Sequence, residues 1–240
     1  MTDFRAYLKP RPSTDLKANS GAEGNATTSF ESVIGKNINS NVMQPLYDTN
    51  GLLFPYTPTI MQFGGTANYN TLSLTHTNYE QPTYTNSTVR DISLTAKFTA
   101  QTQYEAKYVL AMLKFMSRIT KMTFGERDST DFYPDTDGYA GLPPPILLFS
   151  YLGTHMFNDV PVVATSYSLD LSEEVDYVPV TNKPYPEEVS YVPTELTLNL
   201  ELKPYYNTKD LRSNFKLSDF ASGDMIRGDG SKTAYGKGYL

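Results

Sequence analysis

Two stretches of the chain alternate apolar and polar side chains in the way that predicts a strand with one buried face. Their apolar members are Ile92, Leu94, Ala96 and Phe98 in the first stretch, and Leu196, Leu198, Leu200 and Leu202 in the second. Their polar members are Asp91, Ser93, Thr95, Lys97 and Thr99, followed by Glu195, Thr197, Asn199, Glu201 and Lys203. Each stretch is therefore expected to turn one face to a core and the other to water.

A helix is predicted over residues 103–122, directly after the first of these strands. Thr102 and Glu105 have the spacing of a capping box, in which each side chain binds the backbone N–H of the other residue. An apolar stripe follows at intervals of three and four, formed by Tyr108, Met112, Phe115, Ile119 and Met122. The opposite side carries Lys107, Lys114, Arg118 and Lys121. Gly125 is the expected stop signal. Such a helix is expected to lie over a sheet.

The remaining patterns predict further strands. A strand is expected through Leu72, Leu74 and His76, then a polar connection over 79–87, a doubly buried strand over 146–149, and a strand over about 160–172. In the last of these, Thr165 is expected on the face of Val163, Tyr167, Leu169 and Leu171. An acidic link then runs to residue 188. The fold class predicted is mainly β with one flanking α-helix.

The two ends of the chain differ from its middle. Residues 1–50 and 206–240 have few apolar anchors, no sustained period and many Asn, Ser, Thr and Gly residues. Such segments cannot bury enough surface alone to offset their ordering entropy. We therefore predict an extended N-terminal arm over 1–50, one β domain over 51–205 and a C-terminal extension over 206–240, with a short helix near 209–220.

The composition narrows the possible functions. The chain has 240 residues, a net charge of −6 and no cysteine, so disulfides, thiolate zinc sites and cysteine nucleophiles are excluded. An acidic chain is a poor candidate for neutralising nucleic-acid phosphates. Residues 1–50 lack the apolar run of a signal peptide, and no window is long and apolar enough for a membrane span, so a cytoplasmic site of synthesis and no membrane partner are expected.

The sequence offers little for catalysis or metal binding. His76 and His155 have no neighbouring nucleophile and no metal-ligand spacing, so they are interpreted as surface or core histidines. Asp135 and Asp137 precede Gly138, but the other ligands of a calcium loop are missing. No glycine-rich loop has the residues that bind phosphate. The prediction is no enzyme, no catalytic or metal residue and no cofactor.

Three stretches together resemble the tail-tube-fold proteins of contractile bacteriophage baseplates. They are the segment from Phe54 to Ile60 (Phe-Pro-Tyr-Thr-Pro-Thr-Ile), the strand-to-helix passage from Ile92 to Gly125, and the segment from Val192 to Leu200. The resemblance covers roughly residues 50–205 and is greatest to tube initiators, which join the baseplate hub to the tail tube. It implies a β-barrel or sandwich of the tail-tube type with a helix on its flank.

The resemblance also implies an assembly. Six copies would form a ring in the virion tail, assembled in the host cytoplasm, with hub and tail tube proteins as partners and wedge and tape measure proteins as further ones. The ring would template tube polymerisation, and DNA would pass through it transiently during genome ejection. The ten polar strand residues, from Asp91 to Thr99 and from Glu195 to Lys203, would then line the channel. Contacts between subunits or rings are expected at Phe54, Pro55, Tyr56, Pro58, Lys107, Lys114, Arg118 and Lys121.

Two alternatives stay open at this point. The two terminal extensions suit an adaptor that meets different proteins above and below its ring, but a trunk subunit of the tail tube has the same fold. A β-sandwich carbohydrate-binding module is the alternative from another class, since the chain has 19 tyrosines that could serve as sugar platforms.

Overall fold

The computed structural model describes residues 4–10, 42–122, 143–153, 155–182, 185–206, 211–212, 215–223, 225 and 238–240, with only the backbone for 182 and 185–188. Its strands are β1 Tyr7–Pro10, β2 Leu52–Leu53, β3 Thr59–Gln62, β4 Gly65–Leu72, β5 Gln81–Val89, β6 Ile92–Thr99, β7 Leu147–Tyr151, β8 Phe157–Leu171, β9 Tyr177–Asn182, β10 Tyr185–Pro193 and β11 Glu195–Pro204. Its helices are α1 Gln44–Asp48, α2 Gln103–Ile119 and α3 Leu217–Ser222.

Seven strands form the main sheet, in the order β2-β1-β7-β8-β11-β6-β3, and every neighbouring pair is antiparallel. The two strands predicted from their alternation, β6 and β11, lie side by side, with Leu202 opposite Ile92 and Glu195 opposite Thr99. Their apolar side chains are all buried. The predicted mainly-β fold with a flanking helix is confirmed.

Helix α2 covers the apolar face of this sheet. Thr102 and Glu105 form the predicted capping box, with both reciprocal hydrogen bonds present. The helix ends at Ile119, three residues before the predicted end, and Met122 is exposed, so it does not belong to the buried stripe. Gly125 lies outside the described residues. The buried side of α2 packs against β6, the β9–β10 pair and α1, which closes the core.

Two hairpins outside the main sheet were not predicted. β4 pairs with β5, and β9 pairs with β10. The polar connection expected over 79–87 is therefore mostly strand, and part of the expected acidic link is strand too. The strand predicted through Leu74 and His76 is wrong, because β4 ends at Leu72 and His76 lies in the turn between β4 and β5 with φ of 64°. Exposure on both faces removes the apolar alternation on which strand prediction depends.

A β-bulge in β8 changes which side chains share a face. Ser166 lies opposite Glu201, but Ala164 lies opposite Leu202, so Thr165 is the extra residue. Its hydroxyl donates to the Glu201 carbonyl oxygen at 3.2 Å. Since one extra residue reverses the alternation, Val163 falls opposite Lys203, on the polar face, and not on the face of Tyr167. The predicted common face is wrong for this reason.

Some described parts of the predicted terminal segments pack into the main domain. β1 lies between β2 and β7 in the main sheet, and Leu8 is fully buried. Leu46 of α1 is also fully buried, and Leu240 packs against the same core. These parts of the predicted arm and extension therefore contribute to the same core as the main sheet. β1 has only four residues and one buried side chain, so its sequence shows no recognisable period. It forms a strand because it pairs with β2 and β7.

The Tyr108 hydroxyl joins α2 to strand β2. It donates to the Leu53 carbonyl oxygen at 2.7 Å and accepts from the Leu53 N–H at 2.8 Å. Burial raises the pKa of Tyr108 to about 12. The hydroxyl thus satisfies both backbone groups of a residue at the margin of the sheet, where no further strand lies among the described residues.

We expect Tyr108→Phe to lower the free energy of unfolding by about 1–3 kcal/mol, because it leaves a part-buried N–H and C=O without their partner. Urea unfolding followed by circular dichroism measures this change. Tyr104→Phe is the matched control, since Tyr104 lies on the same helix with its ring exposed, and it should change the stability little. Equal effects of the two variants would contradict this role of Tyr108.

We expect the folded protein to lose stability at alkaline pH because three of its tyrosines have raised pKa values. Burial raises the pKa values of Tyr7, Tyr108 and Tyr206 to about 12 from an ordinary value of 10.0. Below pH 10 these tyrosines are neutral in both states and stability is fully present. Between pH 10 and 12 the unfolded chain ionises first, so stability falls as pH rises. Thermal midpoints measured over this range should drop, and less steeply for Tyr108→Phe; parallel curves would contradict the expectation.

Candidate interaction surfaces

Nine of the ten polar residues predicted from β6 and β11 share one face of the main sheet, opposite the core, and the tenth, Asp91, directly precedes β6. Glu195 lies opposite Thr99, Thr197 opposite Lys97, Asn199 opposite Thr95 and Glu201 opposite Ser93. All are half-buried or exposed. The neighbouring strands add residues that sequence reasoning missed, namely Thr59 and Gln62 of β3 and Ser166, Ser168 and Asp170 of β8. We call this set the polar face.

Side-chain hydrogen bonds join the strands across the polar face. The Thr95 hydroxyl donates to Asn199 Oδ1 at 2.8 Å, and Asn199 Nδ2 donates to Asp170 Oδ2 at 2.7 Å, so Asn199 links β6, β11 and β8. The Ser166 hydroxyl donates to Glu201 Oε2 at 2.7 Å. Cross-strand pairs of this kind stabilise a sheet and fix its register. The polar face is therefore an ordered surface and not only a solvated one.

The polar face carries an excess of negative charge. Its carboxylates are Asp91, Asp170, Glu195 and Glu201, and its cations are Lys97 and Lys203. Lys97 Nζ lies 3.1 Å from Glu195 Oε1, and both side chains are largely exposed. Because that pair cancels locally, the remainder is three carboxylates against Lys203. Phosphates would be repelled and not bound here.

The main sheet is open at two opposite margins. Beyond residue 162, β8 pairs only with β11 among the described strands, so the run 163–171 presents an unpaired backbone edge. On the other side, β3 covers β6 only over residues 93–95, which leaves 96–99 and β3 itself as the second margin. Open edges of this length invite pairing with another chain.

The β4–β5 hairpin has no packing partner in the described chain. Both strands are exposed on both faces, and neither makes substantial contact with another described element. Leu72, Leu74 and Tyr79, at or near its tip, are exposed, with Tyr79 86 % accessible. Tyr69 and Tyr84 meet edge to face, with ring centroids 5.7 Å apart. A two-stranded hairpin is marginally stable alone in water, so a partner surface is expected.

The other predicted contact residues divide into two groups. Phe54 and Pro58 are buried, so the prediction that they contact a partner is wrong; Phe54 packs against Phe98 in the core. Pro55, Tyr56, Lys114, Arg118 and Lys121 are exposed and Lys107 is half-buried. The sequence did not separate Phe54 and Pro58 from contact residues, because a buried core residue and an exposed contact residue can both be apolar. Lys107, Lys114 and Arg118 lie on α2, whereas Lys121 follows the end of the helix at Ile119.

The described residues offer no group of three or more His, Asp or Glu side chains that could hold a metal ion. His76 and His155 are both exposed in turns, and Asp135 to Gly138 lie outside the described residues. One shallow cleft of about 190 Å³ lies beside the start of α2, and its walls include Leu53, Pro55 and Phe98. Its carboxylate, Glu105, accepts from the Gln101 and Thr102 N–H groups, which lower its pKa. A carboxylate held ionised in this way is unsuited to donating a proton.

No helix among the described residues is both long and apolar enough to cross a membrane. The comparisons with known proteins return no family: no protein-family model matches this chain, and no curated protein sequence matches it.

Proposed function

We propose that this protein is a structural, non-enzymatic protein of a contractile phage tail, which forms a hexameric ring at the baseplate between the hub and the tail tube. The observation that carries the proposal is the main sheet with two opposite unpaired margins and one polar face. The resemblance of three sequence stretches to tail-tube-fold proteins supplies the ring and its partners. In this role the ring templates tube polymerisation and lines the path of the DNA.

Strand direction supports closure into a ring. β8 is antiparallel to β11, β11 to β6, and β6 to β3, so the directions alternate across these four strands. Copies related by rotation about one axis all point the same way. The β8 margin of one copy would then meet the β3 margin of the next in an antiparallel pair, and alternation would continue around the ring. Such a heterologous contact closes without leaving a sheet edge.

The polar face supports a channel lining. If the four strands of each copy form one barrel around the axis, with α2 and the core outside it, the polar face turns inward. Its excess carboxylates would be multiplied sixfold around the lumen, and phosphates would be repelled from the wall. DNA then passes without adhering, which suits a conduit.

Mass photometry and negative-stain imaging of the purified protein, alone and with tail tube or hub protein, test the proposal. The expected result is a particle of about six times the chain mass of 26.9 kDa with a central hole, formed alone or on its partner. A chain that remains monomeric in the presence of tube and hub proteins, or an assembly whose β8 margin faces outward, would overturn it.

A further inference from the structure

Residues Gly238–Leu240 occupy a seat on the main domain formed by Asn158, Val160 and Tyr206. The Tyr206 hydroxyl donates to the Gly238 carbonyl oxygen at 3.1 Å and accepts from the Leu240 N–H at 3.1 Å. Both bonds go to backbone, so they hold an extended peptide of any sequence. The seat lies just past the point where β11 stops pairing with β8, at Pro204 opposite Val162.

The seat is selective for the side chains it receives. A Cβ at Gly238 would lie 2.7 Å from Val160 Cγ2 and still closer to the Asn158 carbonyl oxygen, so only glycine fits there. The Tyr239 ring stacks on Tyr206, with centroids 5.2 Å apart and planes at 13°, and Leu240 packs against the core. The ligand is thus defined as a glycine, an aromatic residue and an aliphatic residue in sequence.

The described part of the extension before residue 238 is mostly exposed. α3 has no buried residue, and Leu211, Phe215 and Leu217 are exposed. Phe215 contacts Phe220 and Tyr239, so α3 is joined to the domain through the occupant of the seat. Twelve residues, 226–237, precede Gly238 and can span about 40 Å when extended. Transfer of Gly238–Leu240 to a neighbouring seat would restore every contact it breaks, which is the condition for a swapped assembly.

We propose that the seat is a peptide-binding site whose ligand in the assembled protein is the Gly238–Leu240 segment of a second copy. The exchange rests on the proposed function, because the ring holds copies side by side. The binding of the peptide by the seat does not depend on the ring. Exchange would tie neighbouring subunits together by contacts additional to those between sheet margins.

The first test uses the full chain with Gly238→Ala, whose own segment no longer fits, and a fluorescent peptide Gly-Lys-Gly-Tyr-Leu blocked at both ends. Anisotropy should show saturable binding to this variant and binding weaker by more than about tenfold to the unaltered chain, whose seat is filled. A peptide with alanine in place of its second glycine should also bind more than about tenfold more weakly. Tyr239→Ser provides a second receptor variant if Gly238→Ala folds poorly by circular dichroism. Absence of binding, or equal binding of the two peptides, overturns the site.

The second test asks whether the segment crosses between copies. A donor chain carries Tyr239→p-benzoylphenylalanine and Tyr206→Ala, which disables its own seat, and the acceptor is the Gly238→Ala chain. Irradiation should give a donor–acceptor product that disappears when the acceptor also carries Tyr206→Ala. No such product overturns exchange. If rings form but each Tyr239→p-benzoylphenylalanine chain crosslinks only within itself, exchange is overturned and the proposed function stands. A donor–acceptor product without rings supports exchange and overturns the proposed function.

Discussion

Replacing residues 67–87 by Asn-Gly is expected to abolish ring assembly while leaving the domain folded. Thr66 and Thr88 lie opposite each other in the β4–β5 pair, so a two-residue turn can close the shortened hairpin without strain. The removed residues make no substantial contact with other described elements, so the free energy of unfolding should change by only about 0.5 kcal/mol. Mass photometry should record monomers under conditions where the proposed function predicts hexamers for the unaltered chain. The exposed hairpin needs a partner surface, and we expect a neighbouring copy to supply it. A heterologous ring repeats that contact at every interface, so its removal should prevent closure.

The control for the hairpin replacement keeps the hairpin and changes only hydroxyls. Tyr69→Phe with Tyr84→Phe preserves the edge-to-face rings and loses the local Tyr84–Ser87 hydrogen bond. This variant should assemble as the unaltered chain does. If the shortened chain still forms rings at the same protein concentration, the hairpin is not required for the contact between subunits. If the shortened chain unfolds, the hairpin contributes more to the stability of the monomer than its exposure indicates.

The sequence predicted correctly those elements that have one buried face. The alternation of β6 and β11 is strict because each strand has the core on one side and the polar face on the other. The Thr102–Glu105 capping box depends on local spacing alone, so its prediction needed no tertiary information. These elements were enough to predict the fold class and the part of the polar face that lies on β6 and β11.

What the sequence did not predict depends on pairing between distant segments. β1 is a strand only because β2 and β7 flank it, and the bulge at Thr165 is defined by its partner strand β11. The β4–β5 hairpin is polar on both faces, so its sequence reads as a connection. Ser166, Ser168 and Asp170 join the polar face through the register of β8 with β11, which periodicity within β8 could not show.

Reversing charge on the polar face is expected to turn the channel that we propose from one that repels DNA into one that binds it. Asp170→Lys with Glu201→Lys changes the charge of each copy by four units at two exposed positions, so the fold should tolerate it despite the lost Asn199 and Ser166 hydrogen bonds. Around six copies the lumen would become strongly cationic. Single-stranded or duplex DNA should then bind the assembled variant with a Kd in the range of about 10⁻⁴ to 10⁻⁶ M, and more weakly as salt increases. Filter binding or anisotropy at several salt concentrations measures this.

Glu173→Lys with Glu174→Lys is the matched control, because it makes the same change of charge at exposed positions between β8 and β9, outside the strands that form the polar face. If the polar face lines the channel, DNA threaded in the lumen should be retained by the first variant and should dissociate readily from the control. Capping the DNA at both ends with bulky groups separates threading from surface binding, since capped DNA cannot enter a closed ring. Equal binding of capped and open DNA, or equal binding by both variants, would place the polar face on the outside of the assembly and contradict the channel.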